Sequence, residues 1–375
     1  MRSALAAALL AGCPRPAPPA PAIDDAGLVD AAPEAGDPSS VVRRARASES
    51  DDLRARAWSV PTTDAPAAEL AEGLADPSPW VQLAVVRALP ATGGEEALRR
   101  TAGSASVDPY VRAEAALALG GDAGRSALGD GWAEAPMPAR LPLAFAALRL
   151  GDEAARPVVE GLLSAGELPL EPAFFLALSS RPDPGLAAAL ATGQARVEEE
   201  LASTAAAARM RLGDDGAADL LRKGLGAPDE EQRLEILDLL VDVPGPAADA
   251  LLGRARQDAS AFVATYADLA LLAREGRESA AFLRASESAD WELRQLAVRF
   301  AARAAGGSAP GRTLEKVVRA GLIDRSSPVR AEAADAVGRL RLSDAADALR
   351  PLLADPSPDV ALAAARALLL LEPVR

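Results

Sequence analysis

The sequence predicts an all-α fold, an α-solenoid (alpha-alpha superhelix) of about ten or eleven stacked helix pairs. Three observations predict it. One helix-length phrase recurs with small changes along the chain. Helix-ending glycines and prolines recur about 31 residues apart. Half of the 375 residues are hydrophobic while only 3% are aromatic. Apolar surface made of Ala, Leu and Val lets helices approach closely and favours thin layers over one thick core. A unit of this length cannot bury its apolar face alone, so copies must stack.

The clearest copy of the phrase is SSPVRAEAADAVGRL, Ser326 to Leu340. Ser326 or Ser327 suits the N-cap, and Pro328 suits the first turn. At 3.6 residues per turn Val329, Ala333, Ala336, Val337 and Leu340 fall on one stripe that must be buried. Arg330, Glu332, Asp335 and Arg339 lie at its edge or behind it, which predicts water on that side. ADPSPWVQLAVVRAL (75–89), DPYVRAEAALALG (108–120) and DPSPDVALAAARALLLL (355–371) repeat the pattern. Each places an acidic or hydroxyl residue and a Pro before a helix, then Val, then Ala and Leu at helical spacing.

The chain begins MRSALAAALLAGCPRPAPP. Arg2 supplies a minimal positive region, Ala4 to Leu10 a short apolar run, and Ala11 and Gly12 the small residues of a cleavage site. That run is too short to span a bilayer. Leu10-Ala11-Gly12-Cys13 resembles the lipobox of bacterial lipoprotein precursors, and Cys13 is the single cysteine. The resemblance implies a signal peptide over 1–12 and a lipidated Cys13 at the start of the mature chain. Several acyl chains anchor stably where one would be marginal. Pro14, where an inner-membrane lipoprotein would carry Asp, implies the bacterial cell envelope and the outer membrane, with the folded part facing the periplasm. Residues 13–38 are rich in Pro and Ala, then acidic, and read as a disordered tether.

Residues 39–375 read as the solenoid. The repeated phrase resembles the short HEAT-like repeat shared by phycobilin lyases and many bacterial adaptors. Gly120, Gly151, Gly213, Pro244 and Gly276 are expected to end successive second helices, with the breaker-rich SSRPDPG (179–185) between two of them. DDLRARAWSV (51–60) is a weaker copy. First helices are expected at 95–102, 217–225, 247–255, 312–322 and 344–354, and GGSAPG (306–311) is an inserted loop. ARALLLLEPVR is apolar for a terminal cap. Either Leu368 to Leu371 fold back onto the preceding pair, or that face docks a partner or a second copy.

The sequence offers little for catalysis. With no His there is no Ser-His-Asp triad, Cys-His pair or His-ligated metal, and one Cys allows no metal cluster. No cofactor, metal or catalytic residue is assigned. The formal charge of −14 and the lack of a basic stripe argue against nucleic acid. GGSAPGR (306–312) lacks the Lys-Ser and the preceding strand of a phosphate loop. Glu198 to Glu200, Asp214-Asp215 and Asp229 to Glu231 read as helix-start or helix-flank acids. Arg112 and Arg330, with Asp108 and Asp324 before their helices, sit where HEAT-like families form Asp–Arg ladders between repeats.

Trp80, Tyr110 and Phe262 share one slot, the residue before the second-helix Val, and Trp291 is displaced from it by one. Trp80 with Tyr110, and Phe262 with Trp291, are the candidate partner-binding ridges. The alternative is that each ring packs on the turn of its own repeat. The function expected is a non-catalytic, lipid-anchored scaffold or adaptor holding a protein or peptide on its concave surface. The alternative, by resemblance to phycobilin lyases, is a small-ligand or chromophore carrier.

Overall fold

The computed structural model describes residues 37–63, 65–137, 139–167, 183–306 and 310–371. The lipobox with Cys13, the tether up to residue 36, residues 179–182 and part of the 306–311 insertion lie outside the described residues. Within them the chain is helical, with no strand, and the fold is an α-solenoid of paired helices. Contacts divide it into two units, residues 63–251, and residues 37–62 together with 252–375.

The helices begin with α1 (Pro38–Arg46) and α2 (Asp51–Trp58). Residues 63–251 contain α3 (Pro66–Glu72), α4 (Pro79–Ala88), α5 (Glu95–Gly103), α6 (Pro109–Leu119), α7 (Gly121–Leu128), α8 (Arg140–Arg149), α9 (Arg156–Ala165), α10 (Pro184–Gln194), α11 (Glu199–Arg211), α12 (Ala218–Gly224) and α13 (Glu230–Val241). There follow α14 (Pro246–Ala255), α15 (Ala261–Arg274), α16 (Ala280–Ser286), α17 (Trp291–Ala304), α18 (Arg312–Gly321), α19 (Ser327–Arg339), α20 (Ala346–Leu349) and α21 (Pro358–Leu371).

Local chemistry sets these boundaries. Asp37, Asp108, Asp183, Asp229 and Asp290 cap α1, α6, α10, α13 and α17, each accepting from amides of the first turn. A proline in the first turn of α1, α4, α6, α10 and α19 has no amide to leave unsatisfied. At the other end Gly151 (φ 93°) and Gly213 (φ 90°) follow α8 and α11 in left-handed backbone that favours glycine. The expected terminators Gly120 and Gly276 also have positive φ; beside Pro244 it is Gly245 that makes this turn. The expected first helices at 95–102, 217–225, 247–255 and 312–322 correspond to α5, α12, α14 and α18. The one at 344–354 is broken into 3₁₀ turns around α20, where Pro351 has no amide to continue the ladder.

In residues 63–251, α4, α6 and α8 pack side by side, with α5 and α7 against α6. Leu141 to Leu148 of α8 are all buried, Phe145 completely. In the other unit α15, α17, α19 and α21 pack in succession, with α16 and α18 against α17, α18 also against α19, and α20 against α21. Small residues set that spacing. A Cβ on Gly338 of α19 would lie 2.9 Å from the Ala367 Cα of α21, so a side chain there would force the helices apart. Tyr266 and Phe300 pack with ring centroids 5.4 Å apart between α15 and α17.

Three expectations are corrected. Ser326 stands at the N-cap of α19, but its side chain makes no capping bond; Asp324 instead accepts the Ser326 amide at 2.8 Å. Glu332 does not face water. Its side chain is 4% exposed, held by Arg299 at 3.3 Å and Arg339 at 2.8 Å. Finally, the apolar C-terminal helix packs along α19 of the preceding pair, as one of the two expectations had it, but that is not its whole cover. It runs on to Leu371 and is also covered by the first described helices, because α1 and α2 pack against it. Val360 to Ala365 are six consecutive buried residues, so no face of α21 at this level is open. The copy at 51–60 is thus a helix of the last repeat's surroundings rather than the start of an array.

Candidate protein-interaction site

Several helices carry one or both of two features near their start, an aromatic residue and an arginine. Trp80, Tyr110 and Phe262 are the second residues of α4, α6 and α15, and Trp291 is the first of α17. Each is half-buried, neither sealed in the core nor free in water. Trp80 and Tyr110 thus stand on first turns of two helices packed together, as do Phe262 and Trp291. The caps beneath them, Asp108, Ser260 and Asp290, put carboxylate and hydroxyl oxygens at the same level. A half-exposed ring beside backbone amides and acidic oxygens offers apolar contact and directional hydrogen bonding together.

The arginine occupies the fourth helix residue. Arg54, Arg233, Arg294 and Arg330 each donate through Nη1 to a carbonyl six residues back, in the loop before their own helix. Gln82 fills the same position in α4 and donates to the Asp76 carbonyl at 2.7 Å. Two of these arginines also reach forward. Arg294 forks onto Asp324 at 2.7 and 2.9 Å, and Arg330 forks onto Asp355 at 2.8 and 2.9 Å. Asp324 and Asp355 in turn accept the amides of Ser326 and Ser357, so each fork joins one second helix to the turn that starts the second helix of the next pair.

Arg330 therefore takes part in the ladder that the sequence suggested, but with Asp355 as its carboxylate; Asp324 belongs to Arg294. Arg112 donates to the Ala102 carbonyl at 3.3 Å, and Asp108 serves as a cap. Arg54, Arg233 and Arg294 were missed, although their shared place four residues into a helix was visible. Arg156 and Asp183 make a related bridge at 2.9 Å between α9 and the cap of α10.

These contacts set the protonation of the ladder. Burial alone would push the Asp324 carboxyl up, but Arg294 and the Ser326 amide hold it below the ordinary range. Asp183 is likewise held down, against the effect of burial, by Arg156 and the Leu186 and Gly185 amides. The same bonds raise Arg294 and Arg330, and Arg156 is raised by its bond to Glu153 first and to Asp183 second. Such groups hold structure together and have no proton to exchange near neutral pH. Of the acidic clusters, Asp214 caps a 3₁₀ turn and pairs with Arg209 at 2.6 Å, and Asp229 caps α13. Glu198 stands at the N-cap of α11 rather than on a helix flank. Among the described residues no His, Cys, Asp or Glu cluster could hold a metal, and no helix is long and apolar enough to cross a membrane.

A second surface feature lies along α18. Arg312, Glu315, Lys316, Arg319, Ala320 and Ile323 line an open groove of about 510 Å³, with Ile323 86% exposed.

Residues 279–369 match the family model for HEAT repeats. The matched stretch runs from α16 to α21 and contains both complete forks. HEAT repeats generally serve as scaffolds for protein–protein interaction. Among solved structures the chain is similar to UNC-45 from Drosophila melanogaster, at 11% identity and a TM-score of 0.27, covering 86% of this chain and 55% of that one. It thus spans about half the length of that protein. It is also similar to an engineered protein at 19% identity and a TM-score of 0.15, covering 89% of this chain and 96% of that one. Superpositions at these scores carry no argument about function. No curated protein matches the chain.

Proposed function

We propose that the protein is a non-catalytic, lipid-anchored scaffold of a bacterial envelope, facing the periplasm, that holds a protein or peptide partner on the first turns of its second helices. The observation that carries the reading is the recurrence of a half-buried ring at one helical position, Trp80, Tyr110, Phe262 and Trp291, on helices packed in pairs. Rings needed only for packing are found sealed elsewhere, as Phe145, Phe282 and Phe300 are. Keeping four large aromatic residues half in water has a cost that binding would offset. The lipobox-like LAGC supports attachment through Cys13, and Asp37 leads from the tether directly into α1.

Cross-linking in the native membrane, read by mass spectrometry, tests both halves. Trp80→Ala and Trp291→Ala are expected to remove the cross-linked partner peptides while the helical signal persists, and Cys13→Ser to move the protein to the soluble fraction. An unchanged partner profile in both tryptophan variants would reduce the rings to packing. A Cys13→Ser chain still in the membrane fraction would remove the anchor.

A further inference from the structure

We propose that the surface of α19 and α21 that carries the α1–α2 hairpin is a self-association site, whose alternative occupant is the same hairpin from a second copy of this chain. The contact joins residues remote in sequence. Arg56 of α2 bonds Asp359 of α21 at 2.6 Å, 303 residues away, and approaches Asp335 of α19 at 3.6 Å. Beside that ionic latch α1 packs along α21, and Val41, Val42, Ala45, Leu53 and Ala57 of the hairpin are buried. On the hairpin Arg56, with Asp52 4.0 Å away, and the small apolar stripe thus meet Asp359, the Asp335–Arg366 pair at 3.2 Å and the apolar seat on the body.

The hairpin is built to move as one piece. Arg46 of α1 donates to the Ala57 and Val60 carbonyls at 3.3 and 2.5 Å and lies over the Trp58 ring at 4.1 Å, so α1 and α2 stay together without the seat. Only residues 59–65 separate α2 from α3. Exchange between two copies keeps every contact of the seat and changes only the path of that short connection. When one hairpin lifts, the exposed surface is apolar and acid-rimmed, and the molecule certain to present its complement is another copy of the chain. The tethered hairpin has an effective concentration on the order of millimolar, so the closed monomer dominates when dilute and the exchanged pair gains as concentration rises.

The test uses the full chain under reducing conditions, so that Cys13 cannot link copies, with mass read by light scattering after size exclusion. Arg56→Glu places a fourth carboxylate among Asp52, Asp335 and Asp359; Asp359→Arg sets an arginine against Arg56. Each variant alone is expected to stay monomeric at micromolar concentration, with faster proteolysis between residues 61 and 65. Their equal mixture is expected to raise the dimer fraction at least tenfold, because both exchanged seats then pair opposite charges. The double variant R56E/D359R is expected to return to a closed, protease-resistant monomer. A mixture that stays monomeric, or R56E alone dimerising as readily as the mixture, would overturn the proposal.

Should the single variants not fold, wild type and R56E/D359R are refolded together at millimolar concentration. Homodimers of each are expected, since a mixed pair sets arginine against arginine in one seat and carboxylate against carboxylate in the other. Mixed dimers in statistical proportion, or no dimer at all, would overturn it equally.

Discussion

The two units use the same repeat with different degrees of completion. In the unit of residues 37–62 and 252–375, Arg294 and Arg330 each hold the carbonyls of their own loop and fork onto an aspartate of the next pair. Arg299 and Arg339 converge on a buried Glu332, and the last helix is covered by α1 and α2. In residues 63–251 Gln82 and Arg112 each reach a carbonyl at this position, and the Arg87–Glu114 pair stands part-exposed at 2.9 Å. The match to HEAT repeats falls entirely in the more complete unit. Regular sequence and regular side-chain bracing go together. Where the bracing is thinner, burial of Ala and Leu carries more of the stacking beside single bridges such as Arg156–Asp183.

That contrast can be broken in order of expected effect. Phe300→Ala removes a fully buried ring packed on Tyr266 and should cost about 3–5 kcal/mol, unfolding α15–α19 first in a denaturant series followed by hydrogen exchange. Arg294→Ala strands Asp324 in a part-buried site and should cost about 3 kcal/mol, whereas Arg112→Ala in the other unit should cost about 1 kcal/mol. Equal losses for the two arginines, measured by urea titration, would erase the distinction between units.

A smaller effect comes from pH. The folded Asp324 carboxyl is held below its ordinary value, so its contribution is complete above about pH 4 and is lost as pH falls through the folded value. Asp324→Asn should therefore lower stability at neutral pH and flatten its dependence on pH below 4. An unaltered slope would mean that the fork does not couple folding to that proton. Least of all, Trp80→Ala and Trp291→Ala should change stability by about 1 kcal/mol or less beside their effect on binding, because both rings are half-exposed.

Much of the fold was legible because its signals are local. A capping aspartate, a first-turn proline and a closing glycine lie within one repeat, and each is read without its neighbours. The forks were only half legible: the sequence placed Arg330 and Asp324 in a ladder between repeats, but it did not say which partner each takes, because the carboxylate lies 25 to 30 residues on from its arginine. Glu332 was misread for the same reason. In an Ala-rich helix a carboxylate looks solvent-facing until Arg299 of the neighbouring helix encloses it. The hairpin on α21 left no trace in any local pattern, since it joins the two ends of the described chain. The candidate site was legible as a recurring ring; its half-burial and its pairing on adjacent helices came only from the structure.

The central claim is that, among the described residues, α1 and α2 close the repeat that ends in α21. Native-state hydrogen exchange of the full chain with Val42→Asp, which drives a charge into that contact, tests it directly. The amides of Val360 to Leu368 in α21 should lose protection by tenfold or more, while those of α4 and α6 keep theirs. Unchanged protection in α21 would contradict the account.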